Sequence, residues 1–329
     1  MMPKKILNVL IVGCGNIAGG FDLNYEGPLS PCTHAGAFTE DPRFTIIACL
    51  DPDEKKTRKF KDKWDIPYIF SDFESVLTSD VDVDVVSLCS PTQYHHADIK
   101  AALSLNPILI FCEKPITTSF SESFNSVNLC DQQGVLLAVN YNRRWDNNII
   151  KLKEDINSHT YGQLHSVVGL YNKGILNNGS HLLDMLHYLL GELHIQSTLS
   201  AKNDYFDNDP SVSAMLVSDK KIPIHLVTAD AKDYAIFEVQ FIFSSGILTM
   251  LDGGLVWSKR KTVASERYEQ YTVLDSGSQY QGGLSDTMLN AVDNIYHAVT
   301  EGAELNSTGR SALLSQRLCE DMITLSLNI

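Results

Sequence analysis

Two titratable side chains, Lys114 and His181, lie in sequence contexts that suit proton transfer. Lys114 belongs to Glu113-Lys114-Pro115, directly after the apolar run Ile108–Cys112. A lysine at the end of a buried strand, beside a proline that fixes the backbone, is well placed in a ligand crevice. Partial desolvation beside a positively charged ligand would lower its pKa, so that it could exchange protons near neutral pH. The alternative is a surface Glu-Lys turn.

His181 follows a polar stretch and begins an apolar one. Ser180 is predicted to be a helix N-cap, and His181 and Asp184 then share one helix face. Asn177 precedes His181 by four residues, so both side chains can approach one site if the turn is tight. A histidine satisfied in the core is the alternative. A metal site from His181, Asp184 and His187 is disfavoured, because this spacing spreads the three around the helix and no further ligand is evident.

The stretch Gly13–Ala18 follows the apolar run Ile6–Val12 and predicts a strand, a tight turn and a helix start. Its G-x-G-x-x-G/A spacing is the one that holds a dinucleotide pyrophosphate. Gly13 permits the sharp turn, and Gly15 lets the backbone approach the phosphates. The N–H groups at the helix start would face the anion. The alternative is a glycine-rich hairpin, and the predicted cofactor contacts are Gly13, Gly15, Asn16 and Ile17.

Asp51 ends the second predicted strand, where an acidic residue hydrogen-bonds the adenosine ribose. A carboxylate there repels a 2′-phosphate and favours NAD over NADP; the alternative is a structural Asp51-Pro52 turn. Asp51 lies 36 residues after Gly15, where about 20 is usual. The excess lies in Gly19–Pro31, which is predicted either to interrupt the first helix or to add a loop, with Thr33–Phe38 resuming a helix. We expect this insertion to lie over the cofactor and help shape the substrate pocket.

Polar residues also follow the fourth predicted strand, in Ser90-Pro91-Thr92 and His95. Residues at strand ends of a doubly wound sheet line the ligand crevice, so all four are expected to contact the cofactor. Thr92 is also a candidate helix cap. The alternatives are a purely structural cap at Thr92 and an ordinary surface histidine at His95.

The arrangement of apolar runs predicts two domains. Near-continuous apolar strands alternate with helices up to residue 140, which is typical of a parallel, doubly wound α/β sheet. After Trp145 longer alternating strands predict an α+β domain with a large, mostly antiparallel sheet. We therefore expect a dinucleotide-binding domain over 1–140 and a substrate-binding and oligomerisation domain over 141–329. The predicted strands are Ile6–Val12, Thr45–Leu50, Tyr68–Phe70, Val83–Cys89, Ile108–Cys112 and Val135–Asn140, then Leu164–Tyr171, His194–Ser200, Val212–Val217, Ile224–Thr228, Ala235–Phe243, Ile247–Leu251 and Tyr271–Leu274.

Composition excludes several classes of protein. The 329 residues carry a net charge of −14 with a pI near 5.1, which argues against nucleic-acid or anionic-membrane binding. No apolar run reaches the 18 residues of a membrane span, and the amino terminus lacks the features of a signal peptide. The seven cysteines are scattered without a C-x-x-C pair, as in a reducing cytoplasm. We expect a cytoplasmic protein.

The chain resembles the Gfo/Idh/MocA family (glucose–fructose oxidoreductase, inositol dehydrogenase, rhizopine catabolism) over essentially its whole length. The resemblance rests on motifs that occur in this order: Gly13–Ala18, Asp51, Ser90-Pro91-Thr92 with His95, Glu113-Lys114-Pro115, Asn142-Arg143-Arg144 and Gly179–Asp184. The resemblance implies NAD(P)-dependent hydride transfer between nicotinamide and a secondary hydroxyl of a sugar, polyol or nucleotide sugar. It implies that Lys114 acts on the hydroxyl proton and that His181 is its acid–base partner. Glu113 and Lys114 are then also cofactor contacts, and the expected substrate contacts are Lys114, Arg144, Asn177, His181 and Asp184.

Asn177 departs from the pattern of many relatives, which carry aspartate there. An amide can orient a substrate but cannot take its proton, so the proton work shifts to Lys114 and His181. Some relatives that act on nucleotide-linked amino-sugar acids look similar, which favours a nucleotide sugar over a free polyol. Arg143 and Arg144 are expected to pair with a substrate carboxylate or phosphate, or else to form salt bridges at the domain join.

Two other functions are compatible with these residues. Similar folds host glycosidases that oxidise C3 transiently and recycle bound NAD. A regulatory protein that senses nicotinamide or sugar is the other alternative, and the intact Lys114 and His181 argue against it. Relatives associate through the open face of the second-domain sheet, and Ala235–Phe243 is apolar on both faces. We therefore expect a homodimer or homotetramer.

Overall fold

The computed structural model describes residues 5–23 and 30–327. The chain divides into two compact units, Met1–Trp145 with Ser285–Leu313, and Asp146–Leu284 with Leu314–Ile329. This division differs from the predicted domains 1–140 and 141–329 because a late segment returns to the first unit. Within that unit the Trp145 indole N–H donates to the side-chain oxygen of Asn294 at 2.9 Å. The return of residues 285–313 to the first unit depends on contacts between residues that are far apart in the sequence, so no local pattern predicts it.

The described residues form nine α-helices and fifteen strands. The helices are α1 (His34–Glu40), α2 (Glu54–Trp64), α3 (Phe73–Leu77), α4 (His95–Leu103), α5 (Phe120–Gln133), α6 (Asn147–Asn157), α7 (Ser180–Leu190), α8 (Thr287–Glu301) and α9 (Gly309–Ser326). The strands are β1 (Leu7–Val12), β2 (Phe44–Leu50), β3 (Tyr68–Phe70), β4 (Val85–Leu88), β5 (Leu109–Cys112), β6 (Leu136–Val139), β7 (Leu164–Tyr171), β8 (Leu193–Phe206), β9 (Asp209–Ser218), β10 (Pro223–Thr228), β11 (Phe237–Phe243), β12 (Gly246–Leu251), β13 (Val256–Ala264), β14 (Thr272–Leu274) and β15 (Ser278–Gln281).

The first unit is built on a six-stranded sheet in the order β3-β2-β1-β4-β5-β6. Every pairing is parallel, and this order is that of a doubly wound dinucleotide-binding fold. β4 and β5 are buried along their whole length, because helices cover both faces of a parallel sheet. The predicted α/β fold of the amino-terminal part is confirmed.

The second unit contains a nine-stranded sheet in the order β14-β13-β12-β11-β7-β10-β9-β8, with β15 paired to β13. Only β7 and β10 pair in parallel among its described strands, so the predicted mostly antiparallel α+β sheet is confirmed. Sequence analysis missed β13 and β15. The end of β13 and all of β15 are exposed, so these strands lack the apolar alternation that marks a half-buried strand.

The core of the second unit lies between the sheet and residues of α6, α7 and α9. Apolar side chains also remain exposed on β8, β9 and β10, at Leu199, Met215 and Val227. They favour the homodimer or homotetramer expected above, which stays a prediction. No described helix combines the length and apolar character that a membrane span requires.

Candidate active site

The glycine turn after β1 has the geometry that its sequence predicts. Gly13 has a φ of +85°, and a Cβ there would lie 2.6 Å from the backbone nitrogen of Ser90, so the position requires glycine. The Asp51 carboxylate accepts the N–H groups of Cys14 and Asp53, both at 2.9 Å. Asp51 therefore fixes the turn to the end of β2.

Gly15 faces open space, since a Cβ there would meet nothing within 4 Å. The backbone N–H groups of residues 15–18 have no hydrogen-bond partner among the described residues. A cavity of about 410 Å³ adjoins the turn and is lined by Cys14, Gly15, Asn16, Gly20, Leu23, Lys56, Lys59 and Phe60. Backbone donors and two lysines around an open cradle fit a dinucleotide pyrophosphate.

The helix predicted directly after the glycine turn is wrong. Residues 16–19 form a turn that passes into a short 3₁₀ segment, Gly20–Asp22. The first α-helix begins only at His34, where the Thr33 hydroxyl accepts the N–H of Gly36, close to the helix predicted for Thr33–Phe38. The Asp22 carboxylate accepts the N–H of Thr33 at 3.1 Å, which ties together the two ends of the Gly19–Pro31 insertion. The expectation that this insertion covers the cofactor falls partly on residues 24–29, outside the described residues.

His95 is buried, so the alternative of a surface histidine is wrong, and its predicted cofactor contact stays a prediction. Its side chain is 1% exposed. One ring nitrogen lies 2.7 Å from the Ser90 carbonyl oxygen and the other 3.1 Å from that of Pro115. The His95 ring therefore connects the segment that follows β4 to the segment that follows β5. Thr92 starts a 3₁₀ turn, and α4 is preceded by Tyr94 without a side-chain cap, so the helix-cap prediction for Thr92 is wrong.

Glu113 is the centre of a cluster that links three elements of the first unit. Its Oε1 lies 2.8 Å from His34 Nε2 and accepts the Asn140 amide at 2.6 Å. Its Oε2 accepts the backbone N–H of Lys114 at 3.3 Å. His34 is completely buried, and its Nδ1 lies 2.7 Å from the Ser87 hydroxyl. The Glu113 carboxylate, which is predicted to contact the cofactor, is thus hydrogen-bonded to His34 of α1 and to Asn140 after β6, and Ser87 of β4 contacts His34 in turn.

The contacts give His34 and Glu113 opposite charges. Burial lowers the pKa of His34, but Cys89 and the Glu113 carboxylate raise it by more, to about 10. Burial raises the pKa of Glu113, but the hydrogen bond and charge of His34, with Asn140 and Lys114, lower it overall. An imidazolium and a carboxylate therefore face each other near neutral pH.

Lys114 follows directly and is half-buried at the carboxyl end of β5. Its peptide bond to Pro115 is cis. Because the sheet is parallel, the carboxyl ends of β1 and β5 lie at the same edge. Lys114 and the glycine turn accordingly share the edge at which doubly wound folds bind ligands.

In the second unit, a π-helical turn over Gly174–Gly179 leads directly into α7. The Asp209 carboxylate accepts the N–H groups of Leu176 at 2.7 Å and Asn177 at 2.9 Å. The Ser180 hydroxyl donates to the carbonyl oxygen of Asn177. The predicted N-cap at Ser180 is therefore wrong, because the helix is already preceded by a helical turn. This continuity keeps Asn177 and the half-buried His181 four residues apart along one helical surface.

Two predicted substrate contacts are buried within the units. Asp184 is 1% exposed, and its carboxylate accepts the Ser315 hydroxyl of α9 at 3.1 Å. Arg144 is 6% exposed and donates to the carbonyl oxygen of Asn306. These hydrogen bonds join each side chain to a neighbouring segment of its own unit, and the substrate contacts expected of Asp184 and Arg144 stay predictions. The described residues contain no group of three or more His, Cys, Asp or Glu suited to a metal ion.

The comparisons with known proteins agree with this geometry. The family model described as "Oxidoreductase family, NAD-binding Rossmann fold", that of Gfo/Idh/MocA, matches residues 7–141. Residues 7–141 therefore carry the sequence pattern of this oxidoreductase family. The resemblance inferred from the motifs is confirmed.

Among similar proteins, the myo-inositol 2-dehydrogenase of Thermotoga maritima is 26% identical over 161 residues, which cover 45% of this chain and 48% of the relative. The first curated relatives match over only 33% to 48% of their own length. The WlbA dehydrogenase of Bordetella pertussis, solved with NADH and UDP-GlcNAcA, has a TM-score of 0.75 and 17% identity over 98% of this chain and 97% of that one. A variant of the 3-ketoreductase KijD10 of Actinomadura kijaniata, solved with NADP and TDP-benzene, has a TM-score of 0.75 and 17% identity over 97% of each chain. At these identities the solved structures show the fold alone.

Sequence analysis missed His34, Ser87 and Asn140 as partners in the Glu113 cluster. The contacts of Glu113 to His34 and Asn140 span 79 and 27 positions, so no local motif contains them. A usable signal was present at His34, where a histidine opens the otherwise apolar helix segment Ala35–Phe38. Such a residue must find a buried polar partner.

Asp209 offers a test of how the π-helical turn is held. Asp209→Asn should lower stability by about 2 kcal/mol, because an amide cannot accept both buried N–H groups. Thermal denaturation measures this, with Asp219→Asn as the control, since Asp219 is exposed and pairs with His194 at the surface. An equal melting temperature for Asp209→Asn and wild type would show that Asp209 does not hold the turn.

Proposed function

We propose that this protein is an NAD-dependent dehydrogenase that oxidises a secondary hydroxyl of a sugar, polyol or nucleotide sugar. The observation that carries the proposal is the position of Lys114 at the carboxyl edge of the parallel sheet that also bears the open glycine turn. Ligands of doubly wound folds bind at this edge. A proton-exchanging amine beside a dinucleotide cradle is suited to alcohol oxidation rather than to phosphate chemistry.

The glycine turn would hold the pyrophosphate through the N–H groups of residues 15–18, and Asp51 would hold the ribose. When bound, NAD supplies the hydride acceptor. Each Asp51 oxygen already accepts one backbone N–H, and a carboxylate oxygen has capacity for a second donor. The Asp51 charge favours NAD, whereas Lys56 and Lys59 at the same cavity would attract a 2′-phosphate. Both nucleotides therefore belong in the assay.

Lys114 in its neutral form would take the hydroxyl proton, because a C–H bond can lose hydride only as the attached O–H loses its proton. In the reverse direction its ammonium form returns that proton. His181 is proposed as the second acid–base group. Asn177, an amide fixed by the Asp209-bound turn, would orient a hydroxyl without exchanging its proton.

The substrate class follows from the relatives and from Asn177. One similar protein is named for inositol, and another was solved with a UDP-linked sugar acid. Both compounds carry a ring with neighbouring secondary hydroxyls. Asn177 in place of the aspartate of many relatives favours the nucleotide sugar.

An assay of NAD⁺ and NADP⁺ reduction against free sugars, inositols and nucleotide sugars tests the proposal. We expect NADH formation with at least one ring alcohol, faster with NAD⁺ than with NADP⁺. Cleavage of an aryl glycoside without net NADH would instead identify a glycosidase that recycles its cofactor. Binding of nucleotide and sugar without either reaction would identify a sensing protein.

A further inference from the structure

We propose that His34 is a positioning residue that holds the Glu113 carboxylate and neutralises it, so that Lys114 works beside a neutral pair instead of a bare negative charge. This inference rests on the proposed function, because it concerns how Lys114 exchanges its proton. The sequence motif accounts for Glu113 and Lys114 but assigns no role to His34.

The geometry leaves the pair little freedom. His34 is completely buried between the Ser87 hydroxyl and Glu113 Oε1, at 2.7 and 2.8 Å. Its ring centroid lies 4.5 Å from that of Phe111 on β5. Asn140 donates to the same Oε1 from the end of β6. The carboxylate thus has one arrangement, with Oε2 on the backbone of Lys114.

The charges around the pair are few. The other titratable groups that act on His34 and Glu113 are the thiol of Cys89 after β4 and the ammonium of Lys114, with the thiol of Cys112 beside them on β5. Helix α8 contributes only the uncharged Met288 thioether, 3.5 Å from the Asn140 amide. The His34 imidazolium and the Lys114 ammonium are therefore the cations whose charges lower the pKa of Glu113.

Removal of the imidazolium charge leaves a carboxylate next to Lys114. A nearby unpaired negative charge stabilises an ammonium and raises its pKa by about one to three units. Alcohol oxidation requires the neutral amine, so the rate would begin to rise only at higher pH. Charge on His34 therefore sets the pH at which Lys114 becomes a proton acceptor.

The pH dependence of kcat/KM for oxidation tests this. His34→Gln keeps a hydrogen-bond donor for Glu113 but removes the charge. The acid limb of its pH profile should move up by about one pH unit or more. Its kcat/KM should therefore be about tenfold lower than that of the wild type at pH 7 and equal to it at high pH. The double variant with Glu113→Gln should return the limb towards the wild-type position, because no charge then remains uncompensated. The matched control is His297→Gln, which removes an exposed histidine paired with Glu301 at 3.0 Å in the same unit and should leave the profile unchanged.

A second measurement does not depend on activity or on the folding of any variant. ¹⁵N NMR of histidine-labelled wild-type protein should show one ring with both nitrogens protonated through pH 8. A folded His34→Gln protein with the wild-type acid limb would overturn the inference, as would the absence of such a ring. A wild-type protein that reduces no nucleotide while retaining this ring would instead count against the proposed function alone.

Discussion

Replacement of Lys114 by alanine is expected to lower kcat for NAD⁺-dependent oxidation by about 10³-fold, because loss of a general base costs 10²- to 10⁴-fold. Lys114 is half-buried at a strand end and outside the apolar cores, so the melting temperature should change little. Lys114→Arg should be equally inactive, since a guanidinium stays protonated and cannot accept a proton. Steady-state kinetics, with nucleotide affinity measured separately, give the comparison.

The control for this pair is Lys100→Ala, which removes an exposed lysine from α4 of the same unit. Its kcat should equal that of the wild type. Full activity of Lys114→Arg would mean that the residue supplies charge and not proton transfer. Full activity of Lys114→Ala would refute the proposed mechanism.

The second large effect is expected at the glycine turn. Gly15→Leu should weaken NAD⁺ binding by about 100-fold or more, because its side chain would fill the cradle that the pyrophosphate needs. Its stability should be close to that of the wild type, since the added Cβ meets nothing within 4 Å. Titration calorimetry with NAD⁺ and thermal denaturation measure the two effects separately.

Gly13→Ala provides the contrast within the same turn. Its Cβ would lie 2.6 Å from the Ser90 nitrogen at a φ of +85°, so it should lose stability by about 1–3 kcal/mol or more. If Gly15→Leu instead bound NAD⁺ as tightly as the wild type, the cavity at this turn would not be the cofactor site. The two variants therefore separate loss of the ligand from loss of the fold.

Most of the first sheet follows from local sequence. Five of its six strands are mostly apolar runs of four to seven residues, and a parallel sheet buried on both faces requires such runs. The glycine spacing predicted the turn, and the apolar run before Lys114 predicted a lysine at a strand end, because both are local features of the sequence. The weakly apolar β13 and β15 were missed because their side chains are largely exposed and no burial pattern marks them.

The roles of individual polar residues were harder to predict. His95 and Asp184 resemble site residues in sequence, yet the structure buries them against Pro115 and Ser315. Ser180 resembles an N-cap, but the preceding π-helical turn removes the need for one. The partners of His95 and Asp184 are distant in sequence, by 20 and 131 positions, so a short motif cannot distinguish a contact with a ligand from one within the fold.

The sequence by itself determined the doubly wound first unit, the glycine turn, and the placement of Lys114 after a buried strand, because each depends on neighbouring residues. Only the tertiary structure decided that 285–313 returns to the first unit and that His34 and Asn140 hold Glu113. Packing brings His34 against Glu113, and the two form a charged pair next to Lys114. Their separation by 79 positions is closed only when α1 and β5 pack together.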